Sequence, residues 1–513
     1  MSTTVEHLTL DERSARGLAA RARANPDSHT GWMPAPDRPD PVALIEEQNA
    51  RRDADLVPVR HGRMMASPFT FYRGAAKIMA ADLAETPTSG LEVQLCGDAH
   101  LSNFGAYASP ERTMVFDIND FDETLPGPFE YDVKRLAASL TVAAFNNGCS
   151  KSDARAITKA AVTSYREAMA DFASMKTLDV WYAHTSEEQI KQSVAAFLSG
   201  PDSKGKSREK GKDKGKHKSK DKDGDKGKDK RNGSTDGTTS MTSKQRKEAT
   251  RRFEKNALKA HSRNSDQALT KLGEEVDGRY RIASAPPVIV PARDLHMAYG
   301  IKPGELEDVV FDLFRDYRST LRPDVRQLLE RFEIIDWARK VVGVGSVGTR
   351  AFIVLLQGRD RDDPLFLQVK EATRSVLEGP LRKSAYSQPG ERVVQGQRLM
   401  QASSDIFLGW SKGVQADRYY YWRQLRDMKG SALVELMAPA TLAFYARICG
   451  WTLARAHARS GDAVSIAAYL GDDDAFDLSI TDFSERYAAQ NEQDFADFTN
   501  AISTHRIEAI QQV

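Results

Sequence analysis

The stretch 343-GVGSVGTRAFIVLLQGRDRDDPLFLQVKEA-372 sets glycines at GxGxxG spacing ahead of two apolar runs. Alone, that spacing is a weak signal, because it fits a dinucleotide-binding turn, a lid over phosphates or chance. The residues that follow decide. A dinucleotide turn opens a helix at its third glycine and has an acidic residue about 20 positions further on. Here Gly348 leads instead into Phe352, Ile353, Val354 and Leu355, then into the turn 358-GRDRDDP-364 and a second apolar run. With 334-IIDWARKV-341 upstream, these segments read as three consecutive strands with the glycines in a hairpin between the first two. Glycine at such a site lets backbone N–H groups approach phosphate oxygens that a side chain would hold off. Gly343, Gly345, Ser346 and Gly348 are therefore candidate phosphate-binding residues.

Lys370 lies 22 residues after Gly348, on the next strand. A kinase places there the lysine that pairs with the α- and β-phosphates of ATP. Glu391, 21 residues later at the start of a helical pattern, is the expected ion-pair partner of Lys370. Glu371 is nearer in sequence, but neighbouring strand residues point to opposite faces.

A second stretch, 96-CGDAHLSNFGAYASPERTMVFDINDFDET-124, crowds carboxylates and amides between apolar residues. Carboxylates without a cation repel one another and lose hydration near a core, so the stretch calls for a divalent metal. Its 97-GDAHLSN-103 fits GDxHxxN and closely resembles the catalytic loop of aminoglycoside and choline-type phosphotransferases. That resemblance implies that Asp98 orients the acceptor hydroxyl and takes its proton, and that Asn103 binds Mg²⁺. The following 119-NDFD-122 resembles the metal-binding Asp-Phe pair of the same superfamily, giving Asp120 the second metal role with Asp122 as a competitor. In 131-YDVKRLAAS-139, Asp132 resembles the residue that supports the catalytic loop. Phosphoryl transfer requires little covalent work of the protein, so a cation held by a carboxylate and an amide, together with a lysine, suits it.

The order of these parts is unusual. Asp98 precedes Lys370 by 272 residues, whereas kinases place the glycine loop and lysine first. Circular permutation accounts for the reversal, and 445-YARICGWTLARAHARSGD-462 looks like the helix that elsewhere leads into the catalytic loop. From 67-SPFTFYRG-74 through GVGSVGTR, PLFLQVKEA and GQRLMQASSDIFLGW to LARAHARSGD, the chain resembles the bacterial domain of unknown function 2252 family, over nearly all of residues 60–500 apart from a charged insertion. The resemblance implies an α+β, two-lobed kinase-like fold, circularly permuted, with a small antiparallel β lobe and a larger helical lobe. It names no substrate.

The expected organisation is an N-terminal arm (1–60), a first part of the helical lobe with the catalytic and metal-binding loops (61–200), a disordered charged insertion (201–242), a helical connection (243–333), a nucleotide-binding β lobe and hinge (334–430) and a second helical part (431–513). Within 201–231, 14 Lys or Arg face 7 Asp or Glu, so the rest of the chain is acidic by six charges although the formal total is +1. The body thus has no general polyanion-binding balance, and no specific nucleic-acid partner is expected. Three cysteines, Cys96, Cys149 and Cys449, without paired spacing fit a reducing cytoplasm. No apolar run reaches the roughly 20 residues that span a bilayer, and the charged N-terminus lacks a signal-peptide core. Strands are expected at 91–98 and 113–120, pairing as a hairpin. Helices are expected after Pro68, at 131–148, at 152–175 capped by Ser152, at 243–263, at 390–403, at 440–462 and at 475–503.

The function expected from these readings is an ATP- and Mg²⁺-dependent kinase-like phosphotransferase acting on a small-molecule acceptor, with 418-RYYYWRQLRDMKG-430 as the hinge that reads adenine. An adenylyl transferase on the same scaffold, a nucleotide-sensing module and a metal-dependent hydrolase with a merely structural glycine turn are the alternatives.

Overall fold

The computed structural model describes residues 7–199, 251, 255, 259–260, 262–299, 303–341, 343–413, 417–425 and 428–510. The charged insertion and most of the helix expected at 243–263 lie outside the described residues. The fold is mixed α+β with small antiparallel sheets. Among the described residues, no helix is long and apolar enough to cross a membrane.

An N-terminal series of helices, α1 (Leu10–Arg23), α2 (Pro41–Asn49), α3 (Val57–Met64), α4 (Pro68–Gly74) and α5 (Ala76–Ala84), wraps the body. Thr9 and Ser67 each close a capping box, which satisfies the free amides where α1 and α4 begin. The helical body comprises α6 (Glu130–Asn146), α7 (Lys151–Ser174), α8 (Pro389–Met400), α9 (Pro439–Ser460), α10 (Ala463–Leu470) and α11 (Ala475–Ser503). Its core includes Phe129, Leu140, Tyr165, Leu453, Tyr469 and Phe476, each almost fully buried. The helices expected at 131–148, 390–403, 440–462 and 475–503 are all present within a few residues. The cap of α7 is Ser150 rather than Ser152: the Ser150 hydroxyl accepts from the Asp153 amide at 3.1 Å.

Four short strands carry the acidic stretch: β1 (Glu92–Leu95), β2 (Phe104–Ala108), β3 (Met114–Ile118) and β4 (Leu125–Pro128). The expected hairpin of the first with the third does not form. β1 pairs with β4, and β3 pairs with β2 and with β5 (Thr185–Ser186). Proline breaks the pattern of β4 and glycine with alanine that of β2, so neither announces itself in sequence; β4 tolerates its prolines because it pairs on one side only, with β1.

After the ribbon β6 (Gly273–Val276) and β7 (Arg279–Ile282) come β8 (Ile289–Pro291), β9 (Glu333–Lys340), β10 (Ala351–Gln357), β11 (Pro364–Glu371), β12 (Gly409–Lys412) and β13 (Tyr419–Gln424). The last six form one antiparallel sheet in the order β12-β13-β11-β10-β9-β8. The three strands read from the opening stretch are therefore adjacent, with the glycines between β9 and β10. Alternation sorts the sheet's side chains between two cores. Val354, Leu367, Val369 and Trp422 face the helix Pro303–Ser319, where Tyr317 stacks on Trp422 at 4.5 Å. Ala338, Ile353, Leu355 and Phe366 face the other way, against Ala268, Leu272 and Ile282. Lys370 has the same parity as Phe366, so it shares this second face.

Candidate functional site

The loop after β1 is held from beneath. The Asp132 carboxylate, in the first turn of α6, accepts from the amides of Cys96 at 2.7 Å and Gly97 at 3.0 Å. His457 of α9 lies 3.3 Å from the same carboxylate, and Tyr165 meets the other ring nitrogen at 2.8 Å. This buried chain, Tyr165 to His457 to Asp132 to the loop amides, fixes the turn at Gly97. There φ is +85° and a Cβ would meet the Glu123 carbonyl oxygen at 2.1 Å. Asp132 thus sits where the loop-supporting residue was expected.

Asp98, at the end of that turn, accepts from Arg135 Nε at 2.7 Å through Oδ1, and His100 Nε2 stands 3.8 Å from Oδ2. Arg135 lies three residues after Asp132, on the same side of α6. Its guanidinium also donates to the Tyr72 carbonyl and stacks over the Tyr72 ring at 3.9 Å, so its direction is fixed. Burial pushes the His100 imidazole down to about 3, against the charge of Asp98, which keeps the ring neutral. Asn103 donates from Nδ2 to the Asp98 carbonyl at 2.8 Å, which leaves Oδ1 as the group available to a cation.

Lys370 enters from the other half of the chain. It is 3% exposed, and its Nζ donates to Asp122 Oδ2 at 2.7 Å and lies 3.8 Å from Asp120 Oδ2. The second Asp122 oxygen accepts from the Tyr421 hydroxyl at 2.6 Å. Burial acts to raise Asp122, but Lys370 and the hydrogen bonds from Lys370 and Tyr421 outweigh it and hold the carboxyl below its usual range. Asp120 is raised instead, first by burial and then by the charge of Asp122. Lys370 is held above its ordinary value by the two carboxylates, against its burial.

Glu391 does not take the expected part. No ion pair joins it to Lys370 among the described residues, because α8 turns the next residue inward. Arg392, 2% exposed, donates to the carbonyls of Thr124 at 2.5 Å, Asp122 at 2.8 Å and Thr373 at 2.8 Å. The acidic loop is thereby tied to the end of β11 by a guanidinium, while Lys370 finds its acid on the loop itself. Glu371 goes to Arg418 and to the Arg350 amide, not to Lys370.

Asp98, Asn103, Asp120, Asp122, Gly343, Gly345 and Ser346 line one cavity of about 490 Å³, within the range of small-molecule sites. Gly348 is turned from it, toward the arm: a Cβ there would meet the Arg52 side chain at 3.0 Å. Arg52 of the arm donates to the Val347 carbonyl and Arg63 of α3 to that of Gly343 at 2.7 Å, so the N-terminal segment grips the glycine loop from outside. Sequence reasoning missed Arg52, Arg135, Arg392 and Tyr421. Only Arg135 carried a usable signal, its helical spacing from Asp132.

Among the described residues, no group of three or more His, Cys, Asp or Glu side chains is arranged to hold a metal ion. Mg²⁺ in nucleotide sites usually takes only one or two carboxylates and completes its shell with phosphate oxygens and water. Asp120 with Asn103 Oδ1 fits that donor set, and Asp122, both of whose oxygens are engaged, fits it less well.

No curated protein and no solved structure matches the chain. The family described as "uncharacterized protein conserved in bacteria (DUF2252)" matches it over residues 52–248 and 217–501. The chain, with its paired acidic loop and buried lysine, belongs to that bacterial family.

Proposed function

We propose that this protein is an ATP- and Mg²⁺-dependent kinase-like transferase, moving a phosphorus-containing group from the nucleotide to a hydroxyl of a small acceptor. One observation carries the reading: Lys370 and Asp122, 248 residues apart, meet at 2.7 Å, and Asp122 lines a cavity together with Asp98, Asn103, Asp120, Gly343, Gly345 and Ser346. A circularly permuted two-lobed kinase-like fold is supported by the end of α9. There the Gln94 amide, in the strand leading to the catalytic-type loop, donates to the Ser460 hydroxyl at 3.1 Å, and Gly461 packs on Val93. The helix that would precede the loop in an unpermuted chain thus ends beside it, where old termini are readily joined.

In this reading Asp98 keeps Oδ1 on Arg135 and offers Oδ2 to the acceptor proton, within hydrogen-bond reach of a hydroxyl placed in the cavity. Lys370 exchanges Asp122 for phosphate oxygens, and the amides of Gly343 to Ser346 close over them. Asp120 and Asn103 would hold Mg²⁺, which when bound supplies charge neutralisation on the phosphate oxygens. Arg392 and Tyr421 keep Asp122 and the loop in register with β11. ATP comes from the surrounding solution as a substrate.

Isothermal titration tests this. The wild-type chain is expected to bind ATP only with Mg²⁺, Lys370→Ala to lose at least tenfold in affinity, and Asp98→Asn to bind ATP normally yet transfer nothing. Failure of the wild-type chain to bind MgATP overturns the reading.

A further inference from the structure

Six arginines and lysines line the cavity, and one of them stands without a proper partner. Arg51, Arg374 and Lys383 are exposed to solvent. Lys77 pairs with Glu47 at 2.5 Å, and Arg52 holds the Val347 carbonyl. Arg73, near the end of α4, is different. Its side chain is only 25% exposed, yet among the described residues it makes no hydrogen bond, and its Nε is buried with no acceptor. The Phe69 ring centre lies 6.0 Å from the guanidinium carbon, and the one acid within ion-pair distance, the half-exposed Glu435, is 4.0 Å from Nη1. Burial holds the guanidinium below the ordinary arginine value, against the charges of Glu435 and Asp98. A guanidinium taken this far out of water without hydrogen bonds costs free energy that a bound anion restores.

The backbone sets Arg73 between the two working parts of the site. The Arg135 guanidinium that holds Asp98 at 2.7 Å also donates to the Tyr72 carbonyl at 2.8 Å, so one side chain ties the carboxylate to the peptide that leads into Arg73. On the other side, a Cβ on Gly345 would meet the Arg73 carbonyl oxygen at 3.2 Å, so the glycine loop passes against the same residue. The start of α4 is fixed in turn by the capping box at Ser67 and by Asn491, whose Nδ2 donates to the Pro68 carbonyl at 3.1 Å. In a phosphoryl transfer the acceptor oxygen stands at the base and the nucleotide's phosphates lie under the glycine loop, so the group in transit lies between them.

We propose that Arg73 is a catalytic residue of the transfer, its guanidinium bonding the oxygens of the phosphoryl group as that group passes from the nucleotide to the acceptor beside Asp98. This rests on the reading of the site as an ATP-dependent transferase, with the terminal phosphoryl as the group moved. The acceptor oxygen bonds to the γ-phosphorus, the bond from that phosphorus to the bridging oxygen breaks, and ADP leaves with the electron pair. The acceptor hydroxyl proton passes to Asp98 Oδ2, and Arg73 neither gains nor loses one. Its planar fork matches two equatorial oxygens of the group in transit, on which negative charge is spread. An arginine supplied at that place by the same chain or by a partner is worth about 10³–10⁵ in rate.

The test needs no acceptor. Titration of the full chain in Mg²⁺ compares the affinity for ATP with that for ADP alone and for ADP with aluminium fluoride, which stands in for the phosphoryl group in transit. In the wild-type chain the fluoride is expected to tighten ADP at least about thirtyfold. Arg73→Gln should keep ATP affinity within about threefold while the fluoride tightens ADP less than about threefold. Arg73→Lys, which retains the charge and the buried stem but not the fork, should keep less than about a third of the wild-type tightening. Glu435→Gln, which removes only the ion pair, should keep all of it. Full tightening in Arg73→Lys or Arg73→Gln overturns the assignment, as does an equal loss in Glu435→Gln, which would make Arg73 a brace for α4. No tightening in a wild-type chain that binds MgATP also overturns it and leaves the transferase reading standing; no binding of MgATP overturns both.

Discussion

At the scale of single residues, the acidic loop depends on a backbone turn that only glycine accommodates. Gly97 stands in the left-handed region, and its absent Cβ is what lets the Glu123 carbonyl approach. Gly97→Ala should therefore destabilise the protein by more than the few tenths to 1 kcal/mol of an ordinary glycine substitution, because conformation and contact both fail. Chemical denaturation measures this, and a change under about 1 kcal/mol contradicts it. The carboxylates Asp98, Asp120 and Asp122 and the amide Asn103 were legible because they occur within one short span whose chemistry shows in its composition. Tyr421 and Arg392 were not, since a tyrosine in an aromatic strand and an arginine in an amphipathic helix look ordinary until their partners are in place.

At the scale of elements, α8 illustrates how spacing constrains a site without choosing its residue. The pattern located the helix, and its first turn was expected to present Glu391. Neighbouring helical positions differ by about 100° in direction, and packing selected Arg392, which bonds three carbonyls of two different segments. Arg392→Met preserves length and apolar contact but leaves those buried acceptors unpaired, each worth about 1–3 kcal/mol. A loss of at least about 2 kcal/mol in unfolding free energy is expected, with Glu391→Gln near neutral as the control. Strand pairing shows the same limit. The segments of β1 and β3 were recognisable from their apolar runs, but their partners, β4 and β2, were hidden by proline and glycine.

At the scale of the whole molecule, the helical body also buries charge that does not line the cavity. Lys134 of α6 is fully buried, its Nζ 3.4 Å from the Pro87 carbonyl and 5.3 Å from the centre of the Phe483 ring. Burial pulls its ammonium down to about 7 from the ordinary 10.5, against the attraction of Glu130. Between those two values the unfolded chain binds more protons at this lysine than the folded one, so its contribution to stability rises with pH across the interval. Below about 7 the charged form must be buried in full. Lys134→Met should therefore raise the melting temperature most at pH 7, with the gain shrinking steadily toward pH 10. A gain that is constant across this range contradicts the assignment.

The sequence by itself determined what depends on neighbours along the chain. Period and capping residues set the long helices, alternation set the three strands around the glycines, and clustered carboxylates marked the loop that needs a cation. Tertiary structure alone decided what depends on contacts between distant segments. Lys370 meets Asp122 rather than Glu391, the arm rather than a ligand braces Gly348, and the helix Ser265–Leu272 covers the face beside the lysine. The reason is physical: local propensity acts through a few residues of backbone geometry, whereas the partner of a buried charge and the occupant of a sheet face are set by whichever packing of the whole chain leaves the fewest polar groups unpaired and the least apolar surface in water.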